Sequence, residues 1–416
     1  MADRRWRARW LLAAPHRLGF FAAACMLALS ALWWLAWMLS RHAIGLAWRW
    51  AVSPGLAHGV WFGFGFMPLF FAGFLFTAGP KWLRLPPVEA RALAPAIASA
   101  LAGWLLFVAG VHAQLLLAAL GLVVVAAAWL AIVRRLAGLL RASVERDRVH
   151  LRVMLAAGRV GALAILATAA CLLAGREDAA RAAVQLGLWG FIAPVFVAAA
   201  HRLVPFLGES ASPALAAWRP QWLLWTLLAL CAAQWPFALA DLWWWPQPGA
   251  WRALQIVADA AGALLVFALA WRWVRVQGMR TRMIAMLHVG FVWLGVSFAL
   301  SALSQALLWA SGGTQALGLA APHAFTIGFL GSTMLAMTSR IASGQAGRTL
   351  AADDLAWALF LVLQLAVLLR MAATLWPAAE ATLLIAAALA WTAAVGGWAV
   401  RCGRWFGRPR VDGRPG

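Results

Sequence analysis

Tyrosine is absent from this chain, lysine occurs once, at Lys81, and acidic residues number only 13 among 416. Charged residues make up 11% of it, against roughly a quarter in soluble domains. With 65% hydrophobic residues and a mean hydropathy of +0.83, a water-soluble fold is excluded. The absence of tyrosine and of any His-His pair argues against a haem-copper oxidase core, whose chemistry uses both. The four cysteines, Cys25, Cys171, Cys231 and Cys402, stand singly in separate apolar stretches, with no CxxC. That excludes a disulfide framework or a cysteine-based zinc site and leaves them as small apolar fillers.

What is present is long apolar runs. A bilayer core needs about 20 apolar residues per helix, and runs of that kind cover roughly 18–40, 56–79, 92–110, 112–133, 153–174, 182–200, 221–239, 251–271, 284–310, 319–340, 352–374 and 379–401. The fold class is therefore all-α, a polytopic integral membrane protein of about twelve transmembrane helices. The basic start, MADRRWRARW, resembles a signal sequence, but the run behind it is too long for one, so an uncleaved first helix is expected.

The formal net charge of +21 does not point to nucleic acid, because the arginines sit in short loops between apolar runs. They alternate from loop to loop, as the positive-inside rule requires. Residues 4–17, 81–91, 134–152, 272–282 and 401–414 are rich in arginine, whereas the loops near Gly110 and Gly312 have none. Twelve spans with both termini cytoplasmic in a bacterial inner membrane fit that alternation. No connection is long enough to hold a soluble core, so residues 1–416 form a single transmembrane domain. The clusters Trp33–Trp37, Trp243–Trp245 and Trp271–Trp273 fall near helix ends and read as an interfacial aromatic belt.

Function is then sought among polar groups inside the bilayer. Of eight histidines, His16 and His150 lie among arginines and are expected to be solvated, while His42 and His112 fall at outer helix ends. His58 opens the second helix and His323 the tenth, both from the outer side, so the two imidazoles share a depth. His288 and His201 occupy the inner side. His58 and His323 are each followed at the fifth position by Gly-Phe, as Gly63-Phe64 and Gly328-Phe329. Glycine there either lets a planar group approach the backbone or serves ordinary small-residue helix packing. Asp259, an acid in the outer half of the eighth helix, needs a partner, and a hydrogen bond to His58 or His323 or a neutral, protonated state would both meet that need.

Several stretches resemble the NnrS family. They are His58-Gly-Val-Trp-Phe-Gly-Phe64 running on to Ala72-Gly-Phe-Leu-Phe-Thr-Ala78, Met286-Leu-His-Val-Gly-Phe-Val-Trp-Leu-Gly295, and Pro322-His-Ala-Phe-Thr-Ile-Gly-Phe-Leu-Gly331 with its continuation through Arg340 to Gly344-Gln-Ala-Gly-Arg348. A weaker match is Arg202-Leu-Val-Pro-Phe206. The resemblance implies an inner-membrane protein holding haem b and copper, linked to nitric oxide metabolism or protection from nitrosative stress, with nitric oxide or another small gas as ligand. It implies His58 and His323 as haem ligands with His288 as a competitor, and Arg340 and Arg348 as partners of haem propionates or lipid phosphates; Asp259, His201 and Arg202 are expected, from their place in the spans, as groups supporting the ligands. Met334 and Met337 read as packing.

Two positions depart from the family pattern. The family's Glu after the second-helix His is Gly59 here, and the His after its tenth helix is Gln345. Gln is a poor substitute for imidazole toward iron or copper. The competing class is a metal-free transporter of small molecules, whose site would be marked by helices broken at Pro68, Pro95, Pro194 or Pro236. Turnover, sensing and scavenging of nitric oxide are equally compatible with the sequence.

Overall fold

A computed structural model describes residues 5–203, 220–348 and 352–412, with residue 277 described by its backbone alone. Residues 204–206 of the Arg202–Phe206 stretch lie outside the described residues. Among the described residues there are helices and no strands.

Eleven helices are long and apolar enough to cross a membrane: α1 Pro15–Ile44, α2 Pro54–Trp82, α3 Ala94–Ala113, α4 Leu115–Ala142, α5 Val149–Leu173, α6 Glu177–Leu203, α7 Gln221–Trp243, α8 Gly249–Val276, α9 Arg282–Ala310, α11 Asp354–Leu375 and α12 Pro377–Phe406. The protein is thus a multi-pass membrane protein. The remaining expected span, α10, is a continuous helical rod over 320–345 made of three segments, Ala320–His323, Ala324–Gly331 and Ser332–Gln345. At 1.5 Å per residue it reaches ~39 Å, enough to cross, though its Pro, Gly, Ser and Thr make it more polar than the rest. Leucines such as Leu105, Leu116, Leu163, Leu264 and Leu368 stay half or more exposed on the outside of the bundle, where acyl chains would cover them.

Up-down connectivity gives the bundle two ends. One, the basic face, holds the start of α1, the arginine-rich turns and the end of α12. The other, the opposite face, holds the starts of α2, α6, α8, α10 and α12. At the basic face Arg401 pairs with Asp353, which also accepts from Ala356 N at 3.0 Å and so caps α11. The Arg401 hydrogen bond holds the Asp353 carboxyl below the usual carboxylate range. Arg17 donates to Arg408 O at 2.7 Å, and the chain end thereby crosses the foot of α1.

Besides α1, which ends in a π turn at Ser40–Ile44, three helices depart from the regular ladder within their length. α2 is interrupted at Gly65-Phe66, where a Cβ on Gly65 would run into the Trp61 indole and Pro68 removes a donor. α6 carries a π turn at Leu188–Ile192 just before Pro194, whose missing N–H leaves the preceding carbonyls to re-register. α10 is π-helical from Ala324 to Gly331, directly after His323. Pro236, by contrast, sits inside an uninterrupted α7, and Pro95 occupies the first turn of α3.

Helix pairs close on glycine. A Cβ at Gly103 of α3 would stand 2.8 Å from Gly121 O of α4, and one at Gly121 would stand 2.6 Å from Gly103 O. The partner atoms are backbone and cannot yield. Gly121→Leu is therefore expected to cost about 1–3 kcal/mol or more, read as earlier thermal unfolding of the detergent-solubilised protein with membrane insertion unchanged.

The two histidines expected to be solvated are buried. His16 lies in the first turn of α1 against Thr77 and Gly73 of α2, and its backbone N–H donates to Thr77 Oγ1 at 3.1 Å. His150 is buried in the first turn of α5 and bonds to His201. The expectation failed because arginine-rich loops imply solvent only where no neighbouring helix covers them.

Candidate functional site

The interrupted α2 and the π-helical α10 meet at the opposite face. α2 is anchored there by its first residues: Ser53 N donates to Glu177 Oε1 at 3.0 Å, and Arg181 Nη2 reaches Ser53 Oγ at 3.2 Å. One turn in, the His58 imidazole lies between Trp34 of α1 and Phe62, with ring centroids at 4.0 and 4.2 Å. Its Nδ1 is buried without a hydrogen-bond partner. An unpartnered buried nitrogen costs about 1–3 kcal/mol, so this ring is built for a partner that the chain itself does not supply.

α10 is held from both sides. Ser297 of α9 donates to Ala321 O at 3.0 Å. Gln364 of α11 donates to Ser332 Oγ at 2.9 Å while accepting from Trp293 of α9 at 2.8 Å. This fixes His323, whose Nδ1 lies 2.8 Å from Leu319 O. A carbonyl only accepts, so the proton is on Nδ1 and the Nε2 lone pair is free to bind a metal.

The two imidazoles lie within electrostatic range of each other and of Arg370 on α11. Arg370 is enclosed, and its Nη1 donates to Thr374 Oγ1 at 3.2 Å. Both histidines keep part of their surface accessible. Gly63 opens on free space, with nothing within 4 Å of where a Cβ would stand. Gly328 does not: the Trp293 ring fills its place at 2.6 Å. The shared Gly-Phe offset therefore has two meanings, room at Gly63 and helix packing at Gly328. Trp391 of α12, its Nε1 unpartnered, lies 6.4 Å from Phe62 between ring centroids.

The other expected site residues lie elsewhere. His288 is in the second turn of α9, nine residues and roughly 14 Å toward the basic face from Ser297, the α9 residue bonded to Ala321 beside His323. The two histidines are therefore not level. Arg340 is seventeen residues, roughly 25 Å, below His323 on the same rod, and Arg348 is beyond it, with its guanidinium 4.8 Å from the Trp405 ring. Neither reaches a propionate on a haem at His323. Gln345 and Gly59 are likewise at opposite ends, so their departures from the family pattern do not concern one site. Asp259 makes no bond to His58 or His323; Gln234 of α7 donates to its Oδ1 at 2.6 Å. His201, with Arg202, belongs to a cluster at the basic face, where His150 Nε2 lies 3.0 Å from His201 Nδ1 and Arg202 bonds Asp147 at 2.9 Å and covers Trp82. Among the described residues no group of three or more His, Cys, Asp or Glu is arranged around a metal position. Haem, which brings its own four nitrogen donors, needs no such group.

Sequence reasoning missed Arg370. Its signal was a lone arginine inside the apolar run Leu359 to Leu375, which by default marks a site. It also missed Trp34, which nothing in the local sequence sets apart from its neighbouring tryptophans.

The chain matches the NnrS protein family over residues 10–410, nearly its whole length. It belongs to the NnrS family. Comparison with curated proteins finds no match. Membership makes this a multi-pass membrane protein of a nitric-oxide-related family.

Proposed function

We propose that this NnrS-family protein binds haem b between His58 and His323 at the opposite face and acts in nitric oxide metabolism or protection from nitrosative stress. The observation that carries the reading is the pair of ring nitrogens: the orphaned His58 Nδ1, and His323 Nε2 freed by the Leu319 hydrogen bond. These residues fit a haem. His58 and His323 would hold the iron, Gly63 leaves room for the macrocycle edge, and Arg370 would face a propionate. The haem, when bound, supplies an iron centre that takes nitric oxide or another small gas and exchanges one electron. The chain itself orients the imidazoles and excludes water with Trp34, Phe62 and Trp391. Copper is not part of the proposal, because the positions that depart from the family pattern, Gly59 and Gln345, lie at opposite ends and leave no set of ligands in one place. The reading is tested by the visible spectrum of the purified protein, with and without nitric oxide, alongside iron and copper analysis of the same sample.

The second reading, a metal-free transporter, draws support from the interruptions in α2, α6 and α10, since broken helices line many transport sites. A colourless protein expressed with ample haem would favour it.

The basic face is assigned to the cytoplasm of a bacterial inner membrane, with both termini inside and the histidine pair on the periplasmic side. Reporter fusions after Arg148 and after Arg414 are expected to read cytoplasm and one after Gly312 periplasm. A cytoplasmic signal at Gly312 would contradict the assignment.

A further inference from the structure

Helices α7, α8 and α9, away from the histidine pair, enclose a file of polar side chains that descends from the opposite face. At its mouth, exposed Asp241 of α7 accepts from Gln247 Nε2 at 2.8 Å and from Gln305 Nε2 of α9 at 3.2 Å. Arg252 of α8 donates to Gln305 Oε1 at 3.4 Å and stacks 4.8 Å over Trp245. Arg252, Gln255 and Asp259 then follow at i, i+3 and i+7, which places them on one face of α8. Asp259 ends the file about 15 Å below the start of its helix, deep in the hydrocarbon region.

The file is buried: relative exposure is 5% at Arg252, 3% at Gln255 and 0% at Asp259. It is also short of donors. Gln247 Oε1, Gln255 Oε1 and Asp259 Oδ2 are all buried acceptors with no hydrogen-bond partner. Gln234 satisfies only Asp259 Oδ1, and Ser301 of α9 faces the carboxyl without making a bond of ordinary geometry to Oδ2. Among the described residues no cation stands beside the carboxylate. Arg252 is roughly 10 Å up the same helix and engaged with Gln305. From α7 the charged group facing Asp259 is Asp241, a like charge, and α9 presents only Ser301 and Gln305. An anion buried without a counterion is neutralised by taking up a proton.

We propose that Asp259 is a proton-binding site, reached from the aqueous phase at the opposite face along the polar file that Asp241, Gln305 and Gln255 line. The ligand is one proton, which converts the carboxylate to a carboxylic acid whose Oδ2–H replaces an unsatisfied acceptor by a donor. The site stands whether or not the histidine pair holds haem.

Infrared spectroscopy of the full chain in lipid nanodiscs tests this. At neutral pH the protein should show the carbonyl stretch of a protonated carboxyl in an apolar setting. Asp259→Asn should remove it, and Asp259→Glu should displace it, a result that a folding defect does not mimic. In deuterated buffer the band should shift promptly in the native chain, and in Gln255→Leu slower by an order of magnitude or more. Three results would overturn the proposal: a band that survives in Asp259→Asn, a band lost in Asp241→Asn instead, or a band that appears only when sodium is withdrawn, which would make the site one for a metal cation.

Discussion

Replacing either His58 or His323 by Ala is expected to abolish or broaden the low-spin haem absorption of the purified protein, whereas His288→Ala leaves it unchanged. The two sites differ in what surrounds the ring. His58 is held between Trp34 and Phe62 with Nδ1 unpartnered, and His323 has one nitrogen committed to Leu319 O and the other free. His288, half-buried at the basic face, has no second histidine at its depth on α2 or α10. Insertion should survive both alanine variants, and His58→Ala, which removes a ring packed between Trp34 and Phe62, is expected to lower stability more than His323→Ala. The check is the reduced-minus-oxidised spectrum beside a size-exclusion profile. Spectral loss in His288→Ala alone would move the haem to the basic face.

Arg370→Met is expected to lower the haem midpoint potential. The guanidinium is an enclosed positive charge within range of both histidines, and it disfavours the more positive ferric state. A unit charge at ~10 Å in an effective dielectric of ~20 contributes about 1.7 kcal/mol. For a one-electron couple that is on the order of 70 mV, toward more negative potentials when the charge is removed. Redox titration of the variant beside the native protein reads the shift. An unchanged or raised potential would separate Arg370 from the haem.

The helices were legible because apolar runs of sufficient length have no other stable use, and the shared end of His58 and His323 followed from counting spans. The irregularities were not legible. A proline at 68 or 194 breaks the ladder only where neighbouring helices accept the freed groups, while Pro236 sits in an unbroken helix, and the local sequences do not tell these cases apart. Partnership across helices was equally hidden. Asp259 turned to Gln234 and His201 to His150, since which residue faces which depends on helix rotation, and periodicity fixes that weakly when apolar residues run all round. The two glycines of the Gly-Phe offset carried identical local signals, yet one faces open space and the other a tryptophan ring.

The central claim, that His58 and His323, with Arg370 nearby, hold haem, is tested most directly by the visible spectrum and iron content of the protein purified after expression with ample haem. The account expects a low-spin haem b spectrum, bound iron, and a spectral change on adding nitric oxide. A colourless, iron-free protein that is otherwise folded would contradict it.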